Sequence, residues 1–191
     1  MRYLLSLVVP GILLTVCVGS WAQTPTYNRG RTPTEEEIRA WNIDIDVEGK
    51  GLPPGSGTAQ DGAKLFAQKC AVCHGPTAEG GLAKRLLGGK GSLTSNKPIK
   101  TIGSFWPYAT TLWDFINRAM PASQPGSLRP DEVYALTAFL LFRNEVIQEG
   151  DVMDAKTLPK IQMPNRNGFV PARLEDIPDL RKRVCRVGTC P

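Results

Sequence analysis

The sequence predicts a small all-α domain carried between two irregular extensions. Three observations lead there. Apolar residues recur at helical spacing in three segments, two of them opened by a helix-start signal. The one alternating stretch is five residues long. Both ends of the 191-residue chain lack any sustained helical or strand period.

Taken in order, Gln23 to Thr32 is polar and turn-rich, and Thr34-Glu35-Glu36-Glu37 then matches a capping box opening a short helix with Ile38 and Trp41. Ile43-Asp44-Ile45-Asp46-Val47 alternates apolar and acidic residues, the pattern of a short half-buried strand. The Pro/Gly-rich stretch Leu52-Pro53-Pro54-Gly55-Ser56-Gly57 reads as a linker and sets the boundary between an N-terminal arm, 23–57, and a central domain, 58–148. Thr58-Ala59-Gln60-Asp61 is a second capping box, with a helix from about Gly62. Gly62, Phe66, Cys70 and Cys73 share one face of it, so another helix can approach at Gly62 and pack on Phe66. The run to Gly91 is glycine-rich, and Leu82, Leu86 and Leu87 are expected to pack at the edge of a flat ligand. A second helix starts at Thr110 or Thr111 and carries Leu112, Phe115, Ile116 and Ala119, until Met120-Pro121 ends it. A third begins near Pro130, with Asp131 and Glu132 in its first turn and Val133, Leu136, Phe139 and Leu140 on its apolar side, and ends around Arg143-Asn144. Residues 149–191 form a C-terminal extension, too long for a loop and too poor in apolar residues for a second core.

Cys70-Ala71-Val72-Cys73-His74 is the attachment pattern of c-type haem. Two cysteines three residues apart share a helix face, where both thiols can add to the vinyl groups of one porphyrin. The His that follows can then offer an imidazole nitrogen to the iron. A redox dithiol and a pair of zinc ligands are the competing readings. The first does not explain the adjacent His, and the second needs more His or Cys nearby.

His74 is the only histidine, so bis-histidine ligation by this chain is excluded. Met120, 46 residues on and backed by Pro121, is the expected second axial ligand. Met163-Pro164 repeats the dipeptide beyond the third helix, and an open sixth position is the remaining alternative. Trp106, Tyr108 and Trp113 precede Met120; they either cover a haem edge, keeping it dry and raising the reduction potential, or serve as ordinary core.

Arg2, the apolar run Tyr3 to Val18 and Ser20-Trp21-Ala22 predict a signal peptide, 1–22, cut after Ala22, and hence a periplasmic protein with no stable membrane span. An uncleaved anchor is the alternative, because the run is near the lower limit of a span; Pro10 and the cleavage pattern argue against it. Of five Cys, Cys17 leaves with the signal and Cys70 and Cys73 are committed to the motif, so Cys185 and Cys190 remain. An oxidising compartment favours a disulfide between them, against two unpaired thiols or a bridge to another chain. The formal charge is +5, or +4 without Arg2. With no basic helix or stripe of Lys and Arg interleaved with aromatics, nothing points to nucleic acid. Arg181-Lys182-Arg183 with Arg186 is a terminal basic patch that can help docking to an acidic surface.

Gly62, Phe66, the Cys70–Gly75 stretch, Met120-Pro121 and a third helix with Tyr134 and Phe139 resemble a class I cytochrome c. More narrowly, Glu37-Ile38-Arg39-Ala40-Trp41 with Gly51–Gly57, Ile102–Leu112, Asn117-Arg118-Ala119-Met120-Pro121, and Asp154–Pro159 with Met163-Pro164-Asn165-Arg166 resemble the SoxD-like cytochrome subunit of periplasmic sulfur or sulfite dehydrogenases. The resemblance implies a class I cytochrome c fold, thioether anchors at Cys70 and Cys73, and axial ligands at His74 and Met120. It also implies a molybdenum-cofactor catalytic subunit as donor; a downstream electron acceptor such as another cytochrome c is expected beyond it. Two departures stand out. Some members have two haems, whereas one Cys-x-x-Cys-His and one His make this a single-haem version. Gly81-Leu82 stands where a Gly-Pro is common, which leaves open which carbonyl accepts the His74 ring N–H. A freely diffusing carrier is the competing function. A haem enzyme acting on peroxide or thiols is the weakest, since no free Cys or second His lies near the motif.

Overall fold

The computed structural model describes residues 29–171, in two compact units that divide after Trp41. The signal peptide and the Cys185 and Cys190 pair lie outside the described residues. The first unit holds α1, Glu35–Trp41. Its capping box is formed: Thr34 N–H donates to Glu37 Oε2 at 2.8 Å and Glu37 N–H to Thr34 Oγ1 at 3.2 Å. The Arg31 guanidinium, paired with Glu37, holds that carboxyl down at about 2.

The second unit runs β1 (Ser56–Thr58), α2 (Ala59–Lys69), α3 (Ala71–His74), α4 (Ile102–Phe105), α5 (Ala109–Ala119), α6 (Pro130–Arg143) and β2 (Val152–Asp154), with 3₁₀ turns at Ser92–Thr94 and Leu158–Lys160. Helix α6 is its centre, buried continuously from Val133 to Leu141. Helix α2 crosses it at Gly62, where an added Cβ would run into the Ala135 carbonyl oxygen and lie 2.6 Å from the Phe139 Cβ. Only glycine permits that approach, which lets Phe66 meet Phe139 at 5.1 Å between ring centroids. Helix α5 packs on α6 through Trp113 and Tyr134, 5.3 Å apart, and the Tyr134 hydroxyl donates to the Pro53 carbonyl at 3.0 Å.

Several expectations change. Ile43 to Val47 is not a strand. Asp46 instead closes a turn, its N–H on the Lys50 carbonyl at 3.2 Å and its Oδ1 on the Lys50 N–H at 2.7 Å. Ile45 and Val47 are half-buried and the acids exposed, so the alternation marks burial, while among the described residues no neighbouring strand offers a ladder. Helix α2 starts at Ala59 because Thr58 is the N-cap, accepting from Asp61 N–H at 3.3 Å.

The tail also contributes to the core. β2 pairs antiparallel with β1, Gly57 opposite Met153, and Met153, Leu158 and Met163 are 2%, 0% and 3% exposed within the core. Three-residue strands and single 3₁₀ turns are too short to show a period, so this docking, like α4, left no trace in the pattern.

Candidate haem site

Helix α2 breaks at Cys70, whose N–H still reaches the Phe66 carbonyl at 2.9 Å, and α3 restarts with the Cys73 and His74 N–H groups both on the Cys70 carbonyl, at 3.1 and 3.0 Å. Cys70 is thereby half-buried and Cys73 exposed on successive turns. At Gly75, φ is +78° and a Cβ would run into the Gly80 carbonyl, so glycine is needed for the chain to fold back. The return is fixed by Gly80 N–H on the His74 carbonyl at 2.9 Å and Ala83 N–H on the Cys73 carbonyl at 2.8 Å.

This return brings the Lys84 carbonyl within 2.9 Å of His74 Nδ1. A carbonyl only accepts, so Nδ1 carries the proton and Nε2 keeps its lone pair, the tautomer an iron ligand requires. Lys84 is the carbonyl that the Gly81-Leu82 departure left undetermined. The rest of the loop is anchored by Leu86 N–H on the Ala78 carbonyl at 2.9 Å, and by Asn144 Nδ2, which donates to the Leu140 carbonyl at 2.8 Å and the Leu86 carbonyl at 3.3 Å.

Met120 is the C-cap of α5, its N–H on the Ile116 carbonyl at 3.1 Å. It is half-buried and packs on the same core as Cys70, Leu86 and Trp106. Met163 is enclosed by that core. Of the leucines expected at a ligand edge, Leu86 and Leu87 turn inward, but Leu82 is 88% exposed; Val72, within the haem motif, is 75% exposed. The aromatics separate by role. Trp113 is α5–α6 packing, Trp106 meets Phe115 edge-on at 5.6 Å, and Tyr108 lies under the Arg166 guanidinium at 5.1 Å.

The cytochrome c family model matches residues 59–142. Among solved structures, the crystal structure of the sulfane dehydrogenase SoxCD from Paracoccus pantotrophus is similar, with a TM-score of 0.70 and 38% identity over 87% of this chain and 79% of that one. This chain is a SoxD-like class I cytochrome c. No curated protein sequence matches it.

A cytochrome c holds its haem covalently and uses it for electron transfer, and the residues present in this cytochrome fit such a group. Burial pushes the Cys70 thiol up to about 11, opposite to what a redox dithiol needs. Among the described residues no three His, Cys, Asp or Glu side chains gather as a metal-ion site, as zinc would require. Thr110 Oγ1 and Trp113 Nε1, three residues apart on α5, are buried without a protein partner. Such groups cost about 1–3 kcal/mol each if left unpaired. A ligand with carboxylate edges, as haem has, can complete them. Thr110 and the Lys84 carbonyl escaped the sequence reading. Every residue has a carbonyl, and a buried hydroxyl looks like any threonine.

Proposed function

We propose that this cytochrome is the electron-transfer subunit of a periplasmic sulfur or sulfite dehydrogenase. It would carry one haem c on Cys70 and Cys73, ligated by His74 and Met120, take electrons from a molybdenum-cofactor catalytic subunit and pass them to another cytochrome c. The observation that carries this is the extent of the likeness to SoxCD. It covers 87% of the chain, about twice the span of the cytochrome c family match at 59–142, and therefore takes in sequence outside the haem domain.

When bound, the haem would supply one-electron redox chemistry. The chain's own residues set the conditions. The Lys84 carbonyl fixes the His74 tautomer, and the Met120 thioether would be the second side chain to hold the haem iron, a ligand set that suits electron transfer and leaves sulfur chemistry to the partner. Exposed Val72 and Leu82 flank Cys73 and give partners an apolar contact. Gly62 to Phe105 holds seven Lys or Arg against one Glu, a balance that favours an acidic partner surface. Export by residues 1–22 and a Cys185–Cys190 disulfide belong to the same proposal.

A freely diffusing carrier is the second reading. One observation favours it: Met153, Leu158 and Met163 of the tail bury in the cytochrome's own core, so that part of the extension needs no partner to cover it. Copurification tests the pair. Tagged cytochrome from its native host is expected to elute with a second protein and with molybdenum and iron in comparable molar amounts; elution alone, without molybdenum, refutes the subunit reading.

A further inference from the structure

Arg118, two residues before Met120, joins three acceptors from two segments of the chain. Its Nε donates to Asp114 Oδ1 at 2.7 Å, one turn back on α5. Its Nη2 donates to Asp44 Oδ1 at 3.0 Å and to the Ile43 backbone carbonyl at 2.9 Å. The Arg118 side chain is 33% exposed and that of Asp114 is 22% exposed, while Asp44 is 85% exposed. The planar fork thus braces the last turn of α5 on one side and grips the chain 74 residues earlier on the other. The backbone at the grip is itself held, since Asp46 closes its turn onto Lys50. Helix ends fray unless something restrains the last turn, and this turn delivers the thioether.

We infer that Arg118 is a positioning residue for the axial thioether. By latching α5 to the 43–44 segment it holds Met120 at the iron and sets how readily an outside ligand displaces it. The inference rests on the reading of Met120 as ligand. The ion pair alone, at an exposed carboxylate, contributes little to global stability. Its effect is local: releasing the latch frees the last turn of α5, and the population with Met120 detached rises by the free energy lost there. Arg is needed rather than any cation, because an ammonium cannot reach Asp114 and the two 43–44 acceptors together.

The test uses the full haem-loaded protein and the ferric absorption spectrum, with cyanide as the probe that competes with Met120. Wild type is expected to show the long-wavelength Met-to-iron band, and Met120→Ala to lose it. Arg118→Ala is expected to keep the band but bind cyanide roughly three- to tenfold more tightly. Asp44→Ala, a change on an exposed side chain with no folding risk, is expected to tighten cyanide binding about two- to fivefold. Arg118→Lys should behave like Arg118→Ala rather than like wild type. If the band is present and lost in Met120→Ala, yet Arg118→Ala and Asp44→Ala bind cyanide as wild type does, the latch is overturned while the ligand assignment stands. A lower melting temperature for Arg118→Ala with unchanged cyanide affinity overturns it equally, since that is a merely structural role. A wild-type spectrum without the band, or a band that survives Met120→Ala, overturns the Met120 assignment and the latch with it.

Discussion

Gly62→Ala sets two effects of known sign against each other at the α2–α6 crossing. On an exposed helix, replacing glycine by alanine stabilises by about 1 kcal/mol. Here the new methyl would overlap the Ala135 carbonyl oxygen and sit 2.6 Å from the Phe139 Cβ, well inside ordinary van der Waals contact. Neither obstacle can rotate away, because one is helix backbone and the other is the root of a side chain whose ring is held against Phe66. The helices must move apart, and overpacking of this kind costs about 1–3 kcal/mol, here toward the upper end. Subtracting the propensity gain leaves a net loss of about 1–2 kcal/mol, or a fall of about 2–8 °C in melting temperature for a domain of this size. Thermal unfolding followed by circular dichroism measures it, with Ala67→Gly on the exposed side of the same helix as the propensity control. If Gly62→Ala melts at or above wild type, the close crossing is wrong.

Three further outcomes are expected. Cys70→Ala or Cys73→Ala should each leave a haem held by one thioether, read as a shifted pyridine haemochrome band, and the double variant should lose haem to acid–acetone extraction. Glu132 accepts from Arg129 N–H at 2.8 Å and lies beside Lys69, and these hold its carboxyl below the ordinary 4.5. A depressed carboxylate stabilises fully above its unfolded value and is lost as pH falls through the folded one. Glu132→Gln should therefore cost about 0.5–1 kcal/mol at pH 7, and the difference should close as pH falls below the ordinary carboxylate range, as urea melts across pH will read. Electron exchange with an acidic partner should slow as ionic strength rises from about 0.01 to 0.15 M, followed by stopped-flow; a rate insensitive to salt would count against a role for the basic 62–105 stretch.

Helices with caps and long apolar faces were legible. Thr34, Thr58 and Pro130 each announced a start, and the apolar spacing of α5 and α6 outlasts any accident of composition. The haem motif was legible because its chemistry demands residue types at fixed spacing. What escaped was short or non-local. Ile43 to Val47 has a strand's alternation, but pairing depends on a neighbour that no local pattern reveals. Met153, Leu158 and Met163 are single apolar residues five apart, and only the fold shows that they share one core. The Lys84 carbonyl and the Arg118 grip on Asp44 depend on chain reversals that bring distant backbone together, so residue type carries no sign of them.

In the proposed function, electrons enter this cytochrome from a sulfur-oxidising partner. In the copurified complex under anaerobic conditions, adding sulfite or a sulfane-sulfur donor should produce the sharp ferrous bands of a low-spin c-type haem within the mixing experiment, whereas the isolated cytochrome should stay ferric. A complex that oxidises the sulfur compound with an artificial acceptor while its haem remains ferric would refute that electron path.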